Sequence, residues 1–419
     1  MTPVSFGEAL RWWLRLGFIS FGGPAGQIAI MHDELVVKRR WISERRFLHA
    51  LNYCMVLPGP EAQQLATYIG WLLHGVRGGI AAGVLFVLPS LFILVGLSWI
   101  YVAFGEVPLV VAVLYGIKPA VTAIVLHAAW RIGRRALRGP VLWALAAAAF
   151  AALTFLQAPF PLIILVALVI GALGGTLMPR YFAGSPHASA APGHGPALID
   201  DDTPPPAHAR FSPARFVRGL VLGLGLWAIA YGALAFLLGA DHRLVQMGAF
   251  FTTAALLTFG GAYAVLPYVV QAAVLQYGWL TATQMIDGLA LGETTPGPLI
   301  MVVAFVGYLG AGLPGALVAT FFTFLPSFLF ILLGAPLVEA TREDLKFMAP
   351  LTAVTAAVVG VILNLALFFA GHVLWVDGAI DWAAVAITAG AALALFRYNA
   401  GIIRTLAACA AAGLVCKLL

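Results

Sequence analysis

Charge is what this sequence has least of. Of its 419 residues only 10% are Asp, Glu, Lys or Arg, whereas 62% are hydrophobic, a balance far outside that of a soluble globular domain. Cysteine is nearly missing as well. Cys54, Cys409 and Cys416 are too few and too scattered for a disulfide framework or a metal cage, and each reads as a small apolar residue. No loop carries a paired carboxylate, a metal-binding cluster or a nucleophile with its base, which argues against an enzyme and against any cofactor. The alternating polar lumen face of a barrel strand is absent too, so helices are the expected element. Arg11 and Arg15 interrupt the first apolar run, where a cleavable signal needs an unbroken core. What remains is a chain of bilayer-length apolar segments, an all-α polytopic membrane protein. The net charge of +6 would suggest nucleic acid in a soluble protein. Here the basic residues fall between apolar segments, where they set orientation, and no nucleic-acid partner is expected.

The segments repeat. FGG stands at 21–23 and 259–261, Trp at 41 and 279, and PGP at 58–60 and 296–298, each pair 238 residues apart. LPS at 88–90 and 325–327 slips by one residue, and LFIL at 91–94 and 329–332 returns to register. Four matches in one order indicate a tandem duplication. The expected organisation is a first repeat over 1–180, a disordered cytoplasmic linker over 181–215, an extra membrane helix over 216–239 and a second repeat over 240–419. The linker is rich in Pro, Ala, Gly and His, and its His187, His194 and His208 read as solvated residues.

An extra span inverts the second copy, and the basic residues test this. Loop 38–46, KRRWISERR, corresponds to 276–284, QYGWLTATQ, which has no Lys or Arg. Loops 131–138, 180–218, 341–346 and 397–404 are basic, whereas 157–161, 310–315 and 372–381 contain no Lys or Arg. The pattern predicts an inverted-topology repeat. Keeping 38–46 and 131–138 on one side requires an even number of crossings, yet three apolar segments intervene. The segment holding LPGPEAQQ is therefore expected to be a re-entrant hairpin, in as 47–57 and back as 61–74. Segment 5–37, broken at 21–24, is expected to be a second.

Breaks at bilayer depth leave backbone groups that lipid cannot satisfy. Each half-helix restarting after a break presents N–H groups and a positive dipole end, which attract anions. Candidate substrate-binding positions are therefore Gly22, Gly23, Pro24 and Gln27 around the first break, and Asn52, Pro58, Gly59, Pro60, Gln63 and Gln64 around the second. Gly260, Gly261, Thr294, Thr295, Pro296, Gly297 and Pro298 are their second-copy counterparts. Hydroxyl and amide donors suit a tetrahedral oxyanion, though the same groups could simply cap half-helices and stitch hairpins to neighbours. Glu61, a carboxylate beside an anion site, is assigned to coupling or gating, with Glu293 as its counterpart. Lys118, deep in the apolar run 107–127, could face the anion, pair with Glu61 or snorkel. Asn364, His127 and Arg131 are weaker candidates nearer helix ends.

The run FGGPAGQIAIMHDELVVKRRWISERRFLHALNYCMVLPGPEAQQLATYIGW resembles the signature of the chromate ion transporter family, and the second-half FGG, Trp and TPGP resemble that family's duplicated domain. The resemblance implies a multi-pass inner-membrane protein that exports chromate and confers resistance to it, and a homodimer is one expected assembly. Sulfate is the structural analogue, and an uptake permease for sulfate or a related oxyanion is the alternative.

Overall fold

The computed structural model describes residues 4–182, 196–204, 206–341, 348–376 and 378–418. The first copy contains α1 (Phe6–Ile19), α2 (Gly23–His32, prolonged by a π-helical turn, Asp33–Lys38), α3 (Glu44–Val56), α4 (Glu61–Phe104), α5 (Pro108–Ala136), α6 (Pro140–Leu156) and α7 (Phe160–Leu177). A short α8 (Pro179–Phe182) and the long α9 (Pro213–Leu238) follow. The second copy repeats the series as α10 (Arg243–Leu256), α11 (Ala262–Val270, again prolonged by a π turn, Gln271–Gln276), α12 (Ala282–Thr294), α13 (Val302–Thr341, entered by a 3₁₀ turn, Leu299–Met301), α14 (Met348–Leu374), α15 (Trp382–Tyr398) and α16 (Ile402–Leu418). Only the two-residue strands β1 (Trp375–Val376) and β2 (Ala379–Ile380) depart from this all-α plan among the described residues.

The correspondence reaches single dihedral angles. α4 is interrupted at His74 and Gly75, and α13 at Ala311 and Gly312, with glycine φ of 63° and 64° and ψ of −156° at both. Among the described residues six helices are long and apolar enough to cross a bilayer. Others are too short. α1, α3, α10 and α12 hold 14, 13, 14 and 13 residues. At ~1.5 Å per residue each reaches about 20 Å, short of the ~30 Å hydrocarbon core. Each ends at a break in the helix.

The two copies interlock. α4 packs against α13, and α5 against α14. α6 and α7 of the first copy lie on α14 of the second, while α15 and α16 of the second lie on α5 of the first. Gly116 on α5 and Gly413 on α16 let the backbones approach to 2.6 Å from where a side chain would begin. Small residues at such a crossing replace the missing hydrophobic drive between helices in lipid. The fifth helices, α5 and α14, are packed mainly by the other copy.

The expected linker disorder is corrected in part. Residues 183–195, with His187 and His194, lie outside the described residues, as does 342–347 of the basic loop 341–346. Residues 196–204, however, dock on the loop before α3. Leu198 N–H donates to the Arg40 carbonyl at 2.8 Å, Ile199 N–H to Trp41 at 3.1 Å, and Ser43 N–H to Ile199 at 3.0 Å. The Ser43 hydroxyl donates to Asp201 at 2.6 Å, and Arg46 to the Thr203 carbonyl at 2.5 Å. His208 is bonded to the Trp71 carbonyl at 2.9 Å rather than left to solvent. Composition suggested disorder because it does not register backbone groups paired across the chain.

Asp200 organises this strap. Its carboxylate accepts from the N–H groups of Ala197 and Asp201, which hold it below the usual carboxylate range. A depressed folded value stabilises above the unfolded value near ~3.9 and is lost as pH falls through the folded value. Proteolysis within 196–204 should therefore be slow at neutral pH and accelerate below about pH 4. Asp200→Ala should bring fast cleavage to neutral pH, and unchanged cleavage would contradict this account of the strap.

Candidate functional site

Four helix restarts define the site. α2 follows Gly22 at φ 87° and Gly23 at φ 70°, while α11 follows Gly260 at 79° and Gly261 at 94°. α4 follows Gly59 at φ 128°, and the 3₁₀ turn before α13 follows Gly297 at 105°. Each positive φ is a conformation that a β-carbon disfavours, and Pro58, Pro60, Pro296 and Pro298 remove the N–H groups that would continue the preceding helix.

The breaks of the two copies are bonded to each other. Gly59 N–H donates to the Thr258 carbonyl at 2.7 Å, and Gly297 N–H donates to the Ser20 carbonyl at 2.8 Å. Positions 20 and 258 are equivalent in the repeat, as are 59 and 297, so one contact is made twice. A β-carbon on Gly297 would lie 2.7 Å from that of Ser90, and one on Gly59 would strike the Ser327 hydroxyl. The LPS motifs thus sit beneath the other copy's PGP. Ser20, Thr258, Gly59, Pro60 and 295–298 are all buried in protein, the only surroundings non-helical backbone tolerates at membrane depth.

Side-chain caps close some helix starts and leave others open, those of α5, α6, α7 and α9 among the open ones. Ser5, Ser43, His242 and Thr281 cap α1, α3, α10 and α12 with their side chains. The starts after Gly22, Pro60, Gly261 and Pro298 have no side-chain cap. Their amides and positive dipole ends are what a helix start offers an anion. Access differs between copies, since Gly22 is exposed and Gly261 buried.

Several polar side chains named from the sequence serve the breaks rather than facing a ligand with their donors. The Gln27 amide donates to the Gly297 carbonyl at 2.6 Å, and that of Gln64 to the Pro58 carbonyl at 2.8 Å. Gln63 donates to Thr67 at 3.1 Å, and the hydroxyls of Thr294 and Thr295 close the last turn of α12 on Leu291 and Gly292. Asn52 is half-buried on α3, and Pro24 opens α2. The unpartnered buried atoms among the described residues include Oε1 of Gln27, Gln63 and Gln64 and the hydroxyls of Ser90 and Ser327 near the breaks, beside others such as the Thr122 hydroxyl and the Trp279 indole.

Lys118 is corrected. It pairs at 3.4 Å with Asp287 on α12, not with Glu61, and Asp287 also accepts from Tyr101 at 2.9 Å. The second copy supplies a carboxylate that reaches α5 only because the copies interlock. A lone Asp in MIDGLALG was the available signal. Asn364 bonds Thr154 at 3.0 Å, and His127 stacks edge-on with Phe396.

Glu61 and Glu293 both approach the start of α11. A Glu61 oxygen lies 3.9 Å from where a Gly261 side chain would begin, and Tyr263 donates a short hydrogen bond to Glu293. Neither forms an ion pair within 4 Å among the described residues. Among the described residues no cluster of three metal ligands occurs.

The family profile described as chromate transporter matches residues 7–172 and 245–414, which takes in both copies and every break. This chain belongs to the chromate transporter family. It is 34% identical over 366 residues to the chromate transport protein of Pseudomonas aeruginosa, covering 86% of this chain and 80% of that one. To the chromate transport protein of Cupriavidus metallidurans it is 32% identical over 356 residues, covering 85% and 80%. A probable chromate transport protein of Synechococcus elongatus shares 30% over 360 residues, covering 85% and 83%. No solved structure matches. Within the family match, the matched regions stop short of the 196–211 strap and α9, which are therefore features to be explained from this chain itself.

Proposed function

We propose that this transporter exports chromate from the cytoplasm by alternating access and so confers resistance, with the tetrahedral dianion held between the breaks of two inverted copies. The observation that carries the reading is the contact made twice between the breaks, Gly59 N–H to Thr258 and Gly297 N–H to Ser20, which sets uncapped helix starts of the two copies side by side. Amides after Gly22, Gly23, Pro60, Gly261 and Pro298 replace water around the ion, and the Ser90 and Ser327 hydroxyls add unengaged donors. Gly59, Pro58, Pro296 and Gly297 hold the shape of the two PGP turns, with Gln27, Asn52, Gln63, Gln64, Thr294 and Thr295 supporting them. Gly260 does the same for the second FGG.

Placing the basic loops and the docked strap in the cytoplasm, at the inner membrane, follows from the distribution of Lys and Arg. A dianion leaving an inside-negative cell gains about 7 kcal/mol at ~150 mV, from ~2.3 kcal/mol per charge per 100 mV. Glu61 gives this exit a control. A carboxylate beside the α11 start opposes a dianion unless it carries a proton, so proton and anion binding favour each other.

The test is chromate flux in proteoliposomes under an imposed potential, with sulfate as competitor. Efflux should follow the potential, and Glu61→Gln should flatten its pH dependence while the protein remains inserted and folded. A wild-type pH profile in Glu61→Gln would remove Glu61 from coupling. Flux that favours sulfate and runs inward would replace export with uptake.

A further inference from the structure

An apolar groove of about 980 Å³ lies between α4, α9 and α13, away from the breaks. Its wall on α4 extends from Val76 to Leu91, and α9 contributes Leu222 and Leu226. Fifteen residues of helix rise about 22 Å, more than the ~15 Å depth of one hydrocarbon leaflet. At one mouth stand Arg210, Arg215 and Arg218, all exposed, and no carboxylate is among the described lining residues. The mouth adjoins the docked strap, where Arg215 donates to the His208 carbonyl at 3.3 Å.

We propose that this groove is a binding site for one anionic phospholipid, with its acyl chains along α4 and α13 and its phosphate among the three arginines. The occupant follows from two observations. An apolar gap between membrane helices leaves its lining without contact partners, and acyl chain is the medium that fills it. The arginine mouth then selects among lipids, because cations at the membrane surface attract anionic headgroups. The same lipid accounts for how α9 is held. Only 6% of its apolar window is buried, and its protein neighbours are α10 and α13, so the groove separates its remaining face from α4.

The experiment uses the full chain, delipidated in detergent and titrated with phosphatidylglycerol or phosphatidylcholine, with bound lipid counted by native mass spectrometry. Phosphatidylglycerol should bind at least tenfold more tightly. Replacing Arg210, Arg215 and Arg218 together by Gln should abolish the preference, each arginine contributing about fivefold. Leu222→Trp, which fills the groove and leaves the charges in place, should displace both lipids. A phosphatidylglycerol carrying a photoreactive acyl chain should label peptides from α4, α9 and α13. Equal affinity for the two lipids, retention of the preference in the triple variant, or labelling confined to other helices would overturn the assignment. Full competition by inorganic phosphate would do so as well, since it would make the mouth a phosphate site without the groove.

Discussion

Gly297→Ala is expected to lower stability by about 3 kcal/mol, from a positive φ disfavoured by ~1–2 kcal/mol and a core overlap of similar size. Chromate flux should fall with it. The residue stands at φ 105°, its N–H holds the Ser20 carbonyl, and an added β-carbon would meet that of Ser90 at 2.7 Å. Ser90→Gly removes the obstacle without altering the backbone angle. The double variant should therefore recover roughly 1–2 kcal/mol relative to additivity, as contacting residues do, but not all of the loss. Thermal unfolding in detergent measures this cycle, with flux in proteoliposomes beside it. Gly59→Ala paired with Ser327→Gly should recover less, because a β-carbon there also meets the Gln64 amide nitrogen at 2.6 Å. Normal melting and flux in Gly297→Ala would show that the PGP turn is not held as described.

The sequence made the class of the protein and its family readable for different reasons. Bilayer-length apolar runs are a local property, and so are prolines and glycines that no helix interior accommodates. The helix interruptions at 57–60 and 295–298 follow directly from Pro58-Gly59-Pro60 and Pro296-Gly297-Pro298. Pairings between copies are not local. The Ser90 and Ser327 contacts, the Lys118–Asp287 pair and the packing of α6 and α7 on α14 depend on how two units fold into each other. The amides of Gln27 and Gln64 illustrate the same limit. Residue type identifies a donor near a break, but only geometry reveals that a carbonyl of the break already accepts from it. The strap at 196–204 was hidden because its binding is carried by backbone groups and by Asp200, Asp201 and Thr203 in a stretch whose composition resembles linker.

Asp287→Ala should destabilise the protein by about 3–5 kcal/mol, because it leaves the Lys118 ammonium without its counter-charge in a region that solvates ions poorly. Asp287 is 1% exposed, and its carboxylate joins Lys118 on α5 to Tyr101 on α4, so three helices lose a shared contact. Replacing both charges, as Lys118→Met with Asp287→Leu, should restore most of the folded yield, since apolar side chains of similar volume pack without a desolvation cost. The same double variant decides what Lys118 does. Asp287 precedes Thr294 by seven residues of α12, which places the ion pair about 10 Å along the helix from the break. The ammonium ties α12 of the second copy to α5 of the first, and on the proposed reading it does not touch the anion. The stable double variant should consequently transport chromate, with a changed rate if α12 moves during the cycle and an unchanged apparent affinity. A double variant that folds, inserts and fails to bind chromate would instead make Lys118 a direct ligand and would require the anion to sit along α12.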